Sequence, residues 1–272
     1  TVKANKRTFI FSKKDGQLKG VSVDNRKISF ANGPRFIGAR RADRSLDQFY
    51  NHDDEKAKEK DRTYSEFSDA AVFTKLDVKQ DGGDLVVTAN YKLGNLDKAQ
   101  WTINPSGELA LDYTYNFSGV VDLMGIRFDY PEDQVISKRW LGAGPYRVWQ
   151  NRIHGTQYDV WENDYNDPIP GETFTYPEFK GYFGSVSWMN IRTKEGTISL
   201  TNETPDAYIG VYQPRDGRDR LLYTLPESGI SVLNVIPPVR NKVNSTDLCG
   251  PSSQPKWVNG PQSGRIIFRF ME

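Results

Sequence analysis

The 272 residues are long enough to bury a substantial core, and they match the size of one large β domain. Lysine plus arginine (36) nearly balances aspartate plus glutamate (35), so no global field favours nucleic acid or an anionic membrane. Cys249 is the only cysteine, which excludes an internal disulfide and any multi-thiolate metal site and leaves the compartment open.

Period-two alternation marks the predicted strands. Thr8–Ser12, Leu18–Val23 and Lys27–Phe30 come first, the last two joined by the turn pair Asp24-Asn25. Asp53–Asp61 is the one stretch with helical character, and it lacks an apolar stripe with which to dock. Leu85–Tyr91 follows the Gly82-Gly83 turn, and Leu109–Phe117 follows Ser106-Gly107. In Leu109–Phe117 every odd position is apolar or aromatic, as a strand with one buried face requires. Gly196–Thr201, Tyr208–Tyr212 and Arg265–Phe270 read similarly. Many strands at short intervals predict an all-β sandwich or barrel, with residues 1–272 forming a single domain. No run approaches the roughly 18 apolar residues of a membrane-spanning helix, and Thr1–Arg7 is no signal peptide.

The densest segment is Trp140–Gly155, which packs two tryptophans, two arginines and a glycine-proline turn into a short stretch. Gly142 and Gly144 let the backbone take a positive φ or approach another segment closely, and Pro145 fixes φ. The segment resembles the Trp-x-Gly-x-Gly-Pro-x-x-x-x-x-x-Arg signature of the last domain of family 2 glycoside hydrolases, the β-galactosidase type. Two further stretches resemble that family in the right order. Phe11–Leu18 with Asn32–Phe36 is similar to its opening Phe-x-x-x-x-Gly-x-Leu hairpin, and Asp247–Ser252 to its late Asp-Ser-Trp-x-Pro loop. The resemblance implies a two-sheet antiparallel β-supersandwich of the galactose-mutarotase type. It also implies an excised C-terminal piece of a longer chain, whose partner is an upstream catalytic (β/α)-barrel of the same polypeptide.

The chemistry in the sequence agrees with a supporting role. A glycosidase needs two carboxyl groups facing the scissile bond, and sequence alone cannot pair Glu132, Glu162, Asp164, Asp167, Glu172 or Glu178. In the family both catalytic glutamates lie on the barrel, so no catalytic residue is expected here. An aldose epimerase would need a histidine pair and a carboxylate base, and only His52 and His154 are available. No metal or cofactor is expected. Asp164–Asp167 offers oxygen ligands for calcium but lacks the EF-hand spacing.

Sugars are held by aromatic faces and by hydrogen bonds from arginine, amide and carboxylate groups. The candidate sugar-binding residues are therefore Arg147, Trp149, Arg152, Trp161 and Tyr165, together with Asp247 and Cys249 of the late loop. The aromatics among them could equally fill a sandwich core. Cys249 stands where the family loop carries tryptophan, and Gly38–Arg44 replaces the family's Asp-Asn-Asp cluster. Both departures point away from plain lactose specificity. A freestanding carbohydrate-binding module is the alternative reading.

Overall fold

A computed structural model describes residues 1–41, 64–164, 181–212, 225–238 and 251–272. Among these, the chain runs through β1 (Val2–Ala4), β2 (Arg7–Phe11), β3 (Leu18–Val23), β4 (Arg26–Ile28) and β5 (Ala31–Arg41). It continues through β6 (Tyr64–Glu66), β7 (Val72–Asp81), β8 (Asp84–Lys92), β9 (Leu96–Ile103) and β10 (Leu109–Asn116). Next come β11 (Gly119–Val121), β12 (Leu123–Asp129), β13 (Val135–Gly144), β14 (Gln157–Asp164) and β15 (Trp188–Thr193). The last are β16 (Gly196–Asn202), β17 (Tyr208–Val211), β18 (Ile230–Val235), β19 (Lys256–Val258) and β20 (Pro261–Met271). The expected helix at Asp53–Asp61 lies outside the described residues.

The strands form two large antiparallel sheets, a β-supersandwich. The first has the order β1-β2-β3-β5-β12-β18-β17, with β4 on β3 and β6 on β5. The second has the order β14-β13-β15-β16-β20-β10-β9-β8-β7, and β11 with β19 makes a separate ribbon. Local chemistry explains the hairpins. Asp24 (φ 46°) and Asn25 (φ 66°) both occupy the left-handed region, which a two-residue turn with the twist of its strands requires. Their short polar side chains tolerate it.

Aromatic packing between the sheets holds the sandwich closed. Phe30 stacks on Phe128 of β12 at 4.8 Å and meets Phe268 of β20 at 5.1 Å, while Trp101 of β9 meets Phe128 edge-on at 6.0 Å. Each such ring buries on the order of 150–250 Å² and so dominates the local packing energy. The polar seam between the sheets runs through Glu195. Its carboxylate accepts from Ser29 N (2.9 Å), Ser29 Oγ (2.7 Å) and Tyr130 OH (3.0 Å). Burial raises the Tyr130 phenol above its usual range, and the Glu195 carboxylate contributes to that rise.

The alternation that marks Leu109–Phe117 is observed: Leu109, Leu111, Tyr113 and Tyr115 all face the core. Side-chain period two also gives the first sheet a distinct outer face. On β5, Phe36 points to the core, while Arg35, Ile37 and Ala39 point away from it; on β12, Ile126 and Phe128 point in, while Leu123, Arg127 and Asp129 point out. The candidate site is built on that outer face.

Candidate functional site

β13 delivers the signature. Trp140 is fully buried, edge-on to Phe183 at 4.8 Å, and its Nε1 donates to the Ala143 carbonyl at 3.0 Å. Neither Gly142 nor Gly144 has a positive φ. Their role is close approach. A Cβ on Gly142 would lie 3.0 Å from the Gly184 carbonyl and the Val186 Cα, because residues 184–187 cross directly over the strand. A Cβ on Gly144 would lie 2.6 Å from Cγ and Nε1 of Trp161, whose indole packs onto the glycine from β14.

Past Pro145 the chain folds back over the outer face of the first sheet. Val148 pairs with Tyr182 (N to O 2.7 and 2.8 Å), and Trp149 and Arg152 close a tight turn (2.9 and 3.3 Å). Val148, Trp149 and Tyr182 cap a second apolar cluster whose floor includes Ile37, Ala39, Leu123 and Leu233. Trp149 meets Tyr182 edge-on at 5.7 Å and is 5% exposed. Burial pushes the Tyr182 phenol far above its usual range. Gln150 pins the turn to a distant segment: its N donates to the Pro237 carbonyl (3.0 Å), and its Nε2 donates to the carbonyls of Ser252 (2.9 Å) and Gln254 (2.7 Å).

The predicted site residues therefore divide. Trp149 and Arg147 are buried, Arg147 with its guanidinium 5.8 Å from the Phe183 ring centre. Arg152 is exposed. Trp161 is partly buried, opposite Trp140 in the ladder, with Nε1 donating to the Gln157 carbonyl at 3.2 Å. Tyr165, Asp247 and Cys249 lie outside the described residues. So does most of the Asp164–Asp167 run, of which Asp164 is an exposed strand end. His154 is exposed and His52 is outside the described residues.

Sequence reasoning missed three features. Lys138, buried on β13, donates from Nζ to the Asp164 carbonyl at 3.2 Å and stands 5.8 Å from the Phe183 ring, giving that ring a second cation. Trp257 on β19 is 72% exposed, the most open indole among the described residues. A polar cleft also runs along the same outer face beyond Arg35, where Asn32 Nδ2 (2.9 Å) and Arg35 both bind Asp129, and Lys19 Nζ donates to Asn32 Oδ1 at 3.1 Å. Only the apolar neighbours of these residues carry a sequence period. Among the described residues, no group of three or more His, Cys, Asp or Glu side chains is arranged to hold a metal, and no helix is long and apolar enough to cross a membrane.

The sequence profile of the family described as "Beta galactosidase small chain" matches residues 3–241. No curated protein matches the sequence. Among solved structures, the chain is similar to an alpha-N-acetylgalactosaminidase, NagBb, from Bifidobacterium bifidum in complex with GalNAc. Identity is 12% and the TM-score 0.46, over 100% of this chain and 36% of that one, so the chain spans little more than a third of that enzyme. It is also similar to a galactose 1-epimerase from Lactobacillus acidophilus NCFM (11% identity, TM-score 0.45, 98% of this chain and 92% of that one). A GalM/aldose epimerase homologue from C. elegans aligns at 8% identity and a TM-score of 0.42, over 98% and 99%.

Proposed function

The chain belongs to the beta galactosidase small chain family, and from that premise we propose that residues 1–272 are the single C-terminal domain of a family 2 glycoside hydrolase. In this reading the domain buttresses an upstream catalytic (β/α)-barrel and lines part of its sugar pocket, while the barrel supplies the bond-cleaving carboxylates. The parent hydrolyses a non-reducing terminal β-glycoside. The observation that carries the reading is the extent of the family match, from the opening hairpin through the signature and beyond β18.

The signature's geometry supports the assignment of roles. Arg152 and Trp161, exposed and partly buried, serve as sugar contacts, and Tyr165, Asp247 and Cys249 remain candidate contacts on the family resemblance alone. Arg147 and Trp149 act by holding the turn that carries them. In this reading the isolated domain lacks the acid and nucleophile that the barrel supplies.

The test is direct. The purified 272-residue chain should release no aglycone from aryl β-galactosides, β-glucosides or β-glucuronides, and the reading frame upstream should encode a barrel. Turnover above background that disappears on substituting one of this chain's own carboxylates, such as Glu162, would overturn the reading.

A further inference from the structure

Two clefts meet at one ridge of the first sheet, away from the signature: the larger lies along its outer face, and the smaller runs from the ridge toward β7 and β8 of the second sheet. The larger encloses about 1070 Å³ and the smaller about 690 Å³, and Arg35, Glu66 and Arg127 line both. The ridge is fixed. Arg35 pairs with Asp129, while Arg127 donates from Nη2 to Glu66 Oε1 and from Nη1 to the Glu227 carbonyl, both at 2.5 Å. Planar guanidinium groups held in this way present directed donors beside carboxylate acceptors.

The smaller cleft adds aromatic walls. Phe67, Phe73 and Tyr91 line it. Phe67 is stacked on Phe117 (5.4 Å, 14°), Phe73 meets Tyr91 edge-on at 6.0 Å, and Tyr91 OH donates to the Asp15 carbonyl at 3.0 Å, so none of these rings needs to be ordered by a ligand. In the larger cleft, Ser228 is 1% exposed and its hydroxyl has no partner among the described residues. A buried hydroxyl left so is uncommon, and a bound hydroxyl or water satisfies it.

Charge decides the ligand class. Cations and acids nearly balance along both clefts, so a polyanion, which needs an excess of positive side chains, gains little there. Paired donors and acceptors beside rigid rings suit a neutral polyhydroxyl chain, whose hydroxyls both donate and accept and whose C–H faces pack on aromatic walls. A few converging polar groups in a concave, partly apolar site are the general pattern of small-ligand recognition. Four residue steps along β5 run from Arg35 to Ala39 under the signature turn, a distance of roughly 13 Å along the strand.

We propose that the two clefts form one groove for a neutral oligosaccharide, separate from the sugar contact assigned to Arg152 and Trp161. The inference goes beyond that reading and does not depend on it. The 272-residue chain should be titrated by calorimetry with neutral β-linked tetrasaccharides of galactose, glucose, mannose and xylose, with their monosaccharides, and with an oligouronide of equal length. At least one neutral tetrasaccharide should bind tenfold or more tightly than its monosaccharide. Glu66→Gln and Phe73→Ala should each weaken it at least fivefold, and Trp161→Ala should leave it unchanged. Melting curves check the fold of each variant; if Phe73→Ala fails to fold, the exposed Glu66→Gln decides alone. The groove is refuted if no tetrasaccharide binds, or if the oligouronide binds more tightly. It is also refuted if Trp161→Ala abolishes binding while both groove variants retain it, a result that would leave the signature contact standing.

Discussion

Gly144→Ala tests why the signature needs glycine. The residue has no left-handed φ, so backbone strain predicts no penalty, and alanine in a strand interior ordinarily stabilises slightly. Sterics predict the opposite sign. The new Cβ would lie 2.6 Å from Trp161 Cγ and Nε1, against about 3.5–4.0 Å for a relaxed carbon contact. Cγ is the root of the indole, so the ring cannot swing clear at its tip. It must shift as a body, weakening the 3.2 Å bond from Nε1 to the Gln157 carbonyl, about 0.5–1 kcal/mol net. Overpacking of the half-buried ring against the core adds about 1–2 kcal/mol. The sum is a loss of about 1.5–3 kcal/mol. Urea unfolding followed by far-UV circular dichroism, on a double-mutant cycle with Trp161→Ala, isolates the contact. In the Trp161→Ala background, Gly144→Ala should cost no more than about 0.5 kcal/mol. Equal costs in both backgrounds would refute the close-approach argument and return the explanation to the backbone.

Glu195→Ala removes the acceptor shared by Ser29 and Tyr130, and should destabilise by about 1–3 kcal/mol in the same unfolding assay; an unchanged midpoint would mean that the two sheets do not rely on this seam. Gln150→Ala should cost about 1–2 kcal/mol and speed amide exchange in the 251–258 segment, which its side chain holds from 102 and 104 residues away. Exchange unchanged there would show that the turn is anchored otherwise. Burial raises the Tyr113 phenol to about 12, with Tyr91, Tyr115, Tyr130 and Tyr182 raised as well. A tyrosine whose folded pKa exceeds its unfolded value near 10 keeps its full contribution below pH 10 and loses it as pH rises through the folded value. Stability should therefore stay level up to about pH 9.5 and fall steeply between pH 10 and 12; a decline beginning near pH 8 would contradict these burials.

Legibility in the sequence followed side-chain periodicity. Strand β3 coincides with the predicted Leu18–Val23, and β10 departs from Leu109–Phe117 only at its last residue. Both strands have one face in the core. Strand β7 is harder to read because it is an edge with little burial: Lys75, Asp77, Lys79 and Asp81 share one face, but on the other Val78 is exposed and Leu76 only partly buried. Strand β13 was hidden by its own end, where Gly142, Gly144 and Pro145 read as a turn although the glycines are strand residues accommodating close neighbours. The candidate site was legible as a segment but not residue by residue. An indole that caps a core, one that is half-buried and one that faces solvent look alike in sequence, so Trp149, Trp161 and Trp257 cannot be told apart there. The groove residues come from both sheets, β3, β4, β5, β6, β12 and the approach to β18 together with β7 and β8, and only the fold brings them together.

The most direct measurement compares hydrolysis of an aryl β-galactoside by the product of the full reading frame with that of the same protein lacking these 272 residues. The account predicts turnover in the former, loss of it in the latter, and a raised KM when Arg152→Ala or Trp161→Ala is introduced into the former. Undiminished kcat and KM after removal of the whole domain would contradict it.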